Sequence, residues 1–151
     1  MRYILSVVGV GAIVTATAAV AMADMRTTSE AKPLSELAAL IEKQGYVIVE
    51  AERERGGWEV EVFMGDKQFE LKVNAATGAI VATRPDSGGV APPMGSKPLS
   101  KIAAAVEAAG YVVTEAEFER DAWDIDAERE GMEFDIIVDA KTGKIVSEKR
   151  D

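Results

Sequence analysis

From residue 32 onward the chain switches between two hydrophobic periods. Leu37, Leu40, Ile41 and Gln44 recur at three- and four-residue spacing, as do Ile102, Ala105, Val106 and Ala109. That spacing predicts two short amphipathic helices. Ser35 and Ser100 are the expected N-caps, with Leu34 and Leu99 as hydrophobic staples before them. Gly45 and Gly110 stand where a left-handed C-terminal cap needs glycine. After each helix the period drops to two. Val47, Val49 and Ala51 alternate with Glu50, Glu52 and Glu54, and Val112, Thr114, Ala116 and Phe118 with Glu115, Glu117 and Glu119. Trp58, Val60 and Val62 alternate with Glu59 and Glu61; Trp123, Ile125 and Ala127 alternate with Asp124, Asp126 and Glu128. Phe69, Leu71 and Val73, matched by Phe134, Ile136 and Val138, make a third strand, and Ala79–Thr83 or Lys144–Glu148 a fourth. Alternation of this kind means one buried face and one wet face, the antiparallel case. Gly65-Asp66 and Glu130-Gly131 suit tight hairpins. In 74–78 and 139–143 an Asn or Asp can bond its own backbone while Gly takes positive φ.

The two sets of elements are one unit written twice. A shift of 65 residues superposes them without a gap: Lys32-Pro33-Leu34-Ser35 on Lys97-Pro98-Leu99-Ser100, Gly45-Tyr46 on Gly110-Tyr111, Trp58 on Trp123, Thr77-Gly78 on Thr142-Gly143. The expected fold class is α+β: two tandem modules, 32–86 and 97–151, each a short helix on a four-stranded antiparallel sheet. Residues 87–96, uncharged and rich in Gly and Pro, read as a linker. The pattern leaves open whether the modules share one sheet or sit as beads.

Upstream the pattern is different. Met1-Arg2 is followed by the uncharged, mostly apolar run Tyr3–Val20 and by Ala21-Met22-Ala23. This is the layout of a secretory signal peptide, residues 1–23, cleaved after Ala23, with 24–31 a loose arm. An uncleaved membrane anchor is the competing reading, disfavoured by the small residues that end the run. The expected location is periplasmic or secreted, with no membrane association after cleavage. There is no Cys, which excludes disulfides, thiolate metal sites and lipid attachment at Cys. Removing residues 1–23 removes one Arg and no acid, so 16 Lys and Arg face 26 Asp and Glu, a net charge of −10. That argues against nucleic acid and anionic lipid as partners.

The residues resemble the PepSY domain family. The resemblance rests on a short helix ending in Gly-Tyr, an acidic strand, Trp58–Val62 or Trp123–Ala127, and the strand-turn-strand of residues 69–80 and 134–145. The family's V-D-A-x-T-G-x-I/V piece is complete in the second copy; the first has Asn74 where Asp is usual. The resemblance implies domains of exported proteins and peptidase propeptides, with a restraining role on peptidases and no catalytic residues. The architecture is also similar to that of the β-lactamase inhibitor proteins.

Candidate chemistry is sparse. With no His and no Cys, imidazole and thiol catalysis are unavailable, and no Ser sits in a Gly-x-Ser-x-Gly turn. No cofactor is expected. Asp124, Asp126 and Glu128 point outward from one strand, and Glu133 and Asp135 from its neighbour, a weak candidate for a calcium site because a flat strand face is a poor cage. Trp58 and Trp123 are in phase with the core. Phe63 and Ile137 fall out of phase on the acidic face, which makes them, with Asp124 and Asp126, candidates for contact with a partner. Arg53 reverses this, a charge in phase with the inner face where the second copy has Phe118. Residues 97–151 carry net −6 against −3 for 32–86, so the second copy is the expected recognition face. The expected function is a non-catalytic exported module binding a protein of the cell envelope, a peptidase among the options. The alternatives are a structural envelope protein without a specific ligand and an acidic-face calcium binder.

Overall fold

The computed structural model describes residues 30–151. The expected signal peptide and most of the arm lie outside them. The element order is α1 (Leu34–Glu42), β1 (Val47–Glu54), β2 (Gly57–Met64), β3 (Lys67–Asn74), β4 (Ile80–Asp86), then α2 (Leu99–Ala108), β5 (Val112–Glu119), β6 (Ala122–Arg129), β7 (Met132–Asp139) and β8 (Ile145–Arg150). All eight strands form one antiparallel sheet, in the order β4-β3-β2-β1-β5-β6-β7-β8. Each module was expected to carry a four-stranded sheet, with their connection left open; β1 and β5 pair edge to edge and join the two into one. The fusion satisfies the backbone groups that two inner edge strands would otherwise expose. Among the described residues no helix is long and apolar enough to cross a membrane.

The seam between the halves is a local two-fold. Ala51 lies opposite Ala116, Glu50 opposite Glu117, and Glu52 opposite Glu115. Each partner is the 65-residue counterpart of a residue across the axis. Both helices lie on the inner face and pack against each other. Under them run Ile48, Trp58, Val60, Leu71 and Val73 of one half and Val113, Trp123, Ile125, Ile136 and Val138 of the other, in one core. The tryptophans are 3% and 0% exposed, so they are core residues and not a binding platform.

Two local expectations change. Strict alternation in β1 places Val47 and Val49 inside with Ala51. A bulge between Ile48 and Glu50 shifts the phase, so Ile48 joins Ala51 in the core and Val47 is exposed. The same bulge recurs between Val113 and Glu115, exposing Val112. The second change concerns the caps. The helices begin two residues early, after Pro33 and Pro98, so Ser35 and Ser100 lie inside the first turn and neither caps its own helix. Leu34 and Leu99 are core residues of the first turn. The orphan amides are served from the other helix. Glu107 of α2 accepts from the Ser35 N–H (2.9 Å) and hydroxyl, and Glu42 of α1 accepts from the Ser100 N–H (3.0 Å). A carboxylate at a helix N-terminus also meets the positive end of the helix dipole. The two antiparallel helices thus cap each other.

Other turns follow the expectation. Gly45 and Gly110 have φ of 96° and 91°. The Asn74 and Asp139 side chains each accept two amides of the following turn. The first hairpin of each half, β1–β2 or β5–β6, differs between them. It uses Gly56 in the first, at φ 80°, and Asp121 in the second, at φ 91°. In the second half Arg129 stacks over Tyr111 and Phe134 and pairs with Glu148, a clasp with no counterpart at Met64.

Two predictions arise here. Glu107→Ala strands the donors of Ser35 in a half-buried site and should cost about 1–2 kcal/mol in chemical denaturation, with Glu107→Gln milder because it keeps an acceptor. An unchanged midpoint for Glu107→Ala would dismiss the cross-helix cap. Asp121→Gly relieves a positive-φ side chain and should raise stability by roughly 1 kcal/mol, read as a higher melting temperature.

Candidate functional site

The outer face of the sheet is where the chemistry collects. Strand alternation sends every second residue of eight strands to this side, and the register aligns them in two rows. One row reads Arg84, Glu70, Glu61, Glu50, Glu117, Asp124, Ile137, Ser147. The other reads Ala82, Lys72, Glu59, Glu52, Glu115, Asp126, Asp135, Lys149. Five consecutive carboxylates in each row cross the centre of the sheet, and cations stand towards its edges. Lys72 bonds Glu59 and Glu54, and Arg84 bonds Glu70. Neighbouring strands are about 5 Å apart, so like charges face each other at close range.

Electrostatics follow from that crowding. The Glu50 carboxyl is raised to about 7, first by partial burial and then by Glu61, Glu117, Glu115 and Glu52. Glu61 and Glu115 are raised by burial and by neighbouring acids, led by Asp86 for Glu61 and Asp126 for Glu115. Asp124 and Asp126 are raised by burial and then by Asp135.

The five weak metal candidates separate. Asp124, Asp126 and Asp135 line a concavity of about 350 Å³ together with Glu115, Glu117, Ile137, Ser147 and Lys149. Glu128 and Glu133 pair with each other further along the strands, exposed and outside that concavity. Among the described residues no group of three or more acidic side chains has the geometry to hold a metal ion. Ile137 is half-buried within the acidic concavity. Phe63 is half-buried away from it, opposite Gln68. Arg53 is exposed, in register with Trp58.

Gln68 explains what the linker does. Its side chain is 8% exposed, accepts from the Gly89 N–H (2.9 Å) and donates to Asp86 (3.0 Å) and Glu61 (3.2 Å). Residues 88–93 are thereby tied over the outer face, and a second cavity of about 660 Å³ opens between them and Val49, Glu50, Glu61 and Glu117–Asp121. The linker is a strap on the acidic face.

A family model for the peptidase propeptide and YPEB domain matches residues 7–84 and again residues 88–149. The chain belongs to this PepSY family. The two matches make it a tandem of PepSY repeats, as the internal shift of 65 residues indicates. No curated protein matches it in sequence. One solved structure is similar, that of a candidate lipoprotein of Clostridium difficile 630, at 15% identity and TM-score 0.48, covering 82% of this chain and 98% of that one.

The PepSY repeat accounts for the alternation on each strand but not for the centre of the face. Glu50 and Glu117, its middle pair, become neighbours only because β1 meets β5. The signal was present in the repeat: the strand after each helix is acidic on one side and carries Ala at its midpoint on the other. The expectation that recognition belongs to the second copy rested on net charge, whereas the rows run through both copies and the group most raised, Glu50, is in the first.

Stability should depend on pH accordingly. Each raised carboxyl holds its proton longer in the folded state than in the unfolded one. Between the ordinary value of 4.5 and about 7 for Glu50, folded molecules bind more protons, so stability falls as pH rises through that window. Asp139 is lowered, by hydrogen bonds from Thr142, and its contribution is lost only as pH falls below the ordinary aspartate range. Melting should therefore be higher at about pH 5 than at about pH 8, and Glu50→Gln should flatten that slope. Equal slopes for the two proteins would show that Glu50 is not its source.

Proposed function

We propose that this PepSY tandem is a non-catalytic, exported protein-binding module whose acidic sheet face takes a basic surface of a cell-envelope protein, a peptidase being the leading class. The observation that supports it is the continuity of the face. Ten carboxylates from both repeats lie in two rows, with cations only towards the edges. A broad surface of one sign steers an oppositely charged partner and discriminates against others. Ile137 within the concavity and Phe63 near the strap add apolar anchors at its rim. The family description, peptidase propeptide, points to the same class of partner. A restraining role needs no reactive group on this chain, and its lack of His and Cys is compatible with that.

The test begins with the chain from residue 24 immobilised against envelope extract, followed by titration of the purified partner. Asp124→Lys with Glu117→Lys should weaken binding roughly tenfold or more, and added salt should weaken the wild-type complex in parallel. A peptidase partner should lose activity on binding. A complex indifferent to both the reversals and salt would end this reading.

A further inference from the structure

The seam has a property that the acidic face does not: it is complementary to itself. Its strand pairs and its helix-amide caps map onto one another when the halves are exchanged. Ala51 faces Ala116; Glu50 and Glu52 face Glu117 and Glu115; Glu107 caps α1 at Ser35 as Glu42 caps α2 at Ser100. The residue types are the same in both copies at each of these positions. A surface of this kind is isologous, the type that closes a two-fold dimer. Nothing in the contacts themselves specifies that the two halves belong to one chain.

The seam is also where the sheet is least extensive. It has three paired positions, while every other strand pair has five to eight. Two of the three set glutamates directly opposite each other, which weakens a strand pair. Opening is therefore expected here before any hairpin opens. Once open, each half exposes a strand edge, one face of a helix and an unserved helix N-terminus. The only covalent tie left between them is the segment from Ser87 to Pro98. That tether favours reclosure within the chain through a high effective concentration, but at high protein concentration a second chain offers the identical contacts.

We infer that the β1–β5 seam is an exchangeable interface whose second occupant is another copy of this chain, the two trading halves to form a closed dimer. In it β1 and α1 of one chain meet β5 and α2 of the other, and conversely. The seam contacts of the monomer are kept, and the strap residues carry the crossover. The inference is independent of the proposed partner on the acidic face.

The chain lacks cysteine, so single substitutions report pairing cleanly. Glu52→Cys and Glu115→Cys lie opposite each other on the outer face, outside the core. A chain carrying both should form an internal disulfide and remain monomeric, which shows that the fold and bond geometry survive. Two full chains carrying one each are then mixed at high concentration, warmed to just below the melting transition, cooled and oxidised. A mixed disulfide dimer of twice the monomer mass is expected, and it should not form without the warming step. A mixture that stays monomeric while the double variant closes its internal bond would overturn the exchange. So would equal dimer yield from a control pair at the outer edges, Val81→Cys with Val146→Cys.

Discussion

The packing of Ala51 against Ala116 is the constraint from which most of this architecture follows. Both are fully buried on the inner face, where the helices cover the sheet. Alanine has no side chain beyond Cβ, so two strand edges can meet there while helices cross above them. The position also fixes register. Side chains alternate with period two, so a slip of one residue would turn the apolar face of one half toward water. With Ala51 opposite Ala116, both inner faces fall on one side and a single core forms beneath α1 and α2. The same placement brings Glu107 to the start of α1 and Glu42 to the start of α2. Strand pairing and helix capping are two consequences of one axis.

The acidic face is the cost of that arrangement. A two-fold axis through an acidic strand necessarily sets that strand's carboxylates against those of its copy. Glu50 and Glu52 therefore meet Glu117 and Glu115, and the raised value at Glu50 reflects it. Cations could have relieved the pairs but stand towards β4 and β8, where Lys72 and Arg84 neutralise acids of the first half. The centre is left uncompensated. A site that tolerates repulsion in the free protein is one where a basic partner would remove it, and this links the stability cost to the proposed binding.

Much of the fold was legible because the local rules agree with one another. Period-two alternation, the Gly-Tyr helix ends and the Asn74 and Asp139 turns all correspond to observed elements. What escaped the sequence was the seam between the halves, the bulges and the path of the linker. Ser35 and Ser100 look like caps because serine is a good local acceptor, but Pro33 and Pro98 start the helices earlier and the acceptors come from 72 and 58 residues away. Val47 looks like core because the bulge leaves no local mark beyond an extra apolar residue, and Val49 is buried beneath the strap and not in the inner core. Of the candidate site, the individual acids were visible; that Asp124 and Asp126 extend a row beginning in the other half was not. Composition could not show that the Gly- and Pro-rich linker is a strap, since the Gln68 side chain that holds Gly89 lies on a distant strand.

The distribution of identity between the two copies follows from the same geometry. At an isologous seam each contact occurs twice, once in each direction across the axis, so a change in one copy alone breaks the match. Ala51 and Ala116, Glu42 and Glu107, and Ser35 and Ser100 are identical pairs. Away from the seam a residue faces only its own half, and outside the core and turn positions the copies differ. Met64 corresponds to Arg129, which clasps Tyr111 and Phe134. Pro85, on the β4 edge, corresponds to Arg150 on β8. Proline removes an amide donor from an outer edge and so discourages further strand pairing, which β8 does not do. The axis keeps the two halves alike where they meet, and the edges, released from it, have become different surfaces.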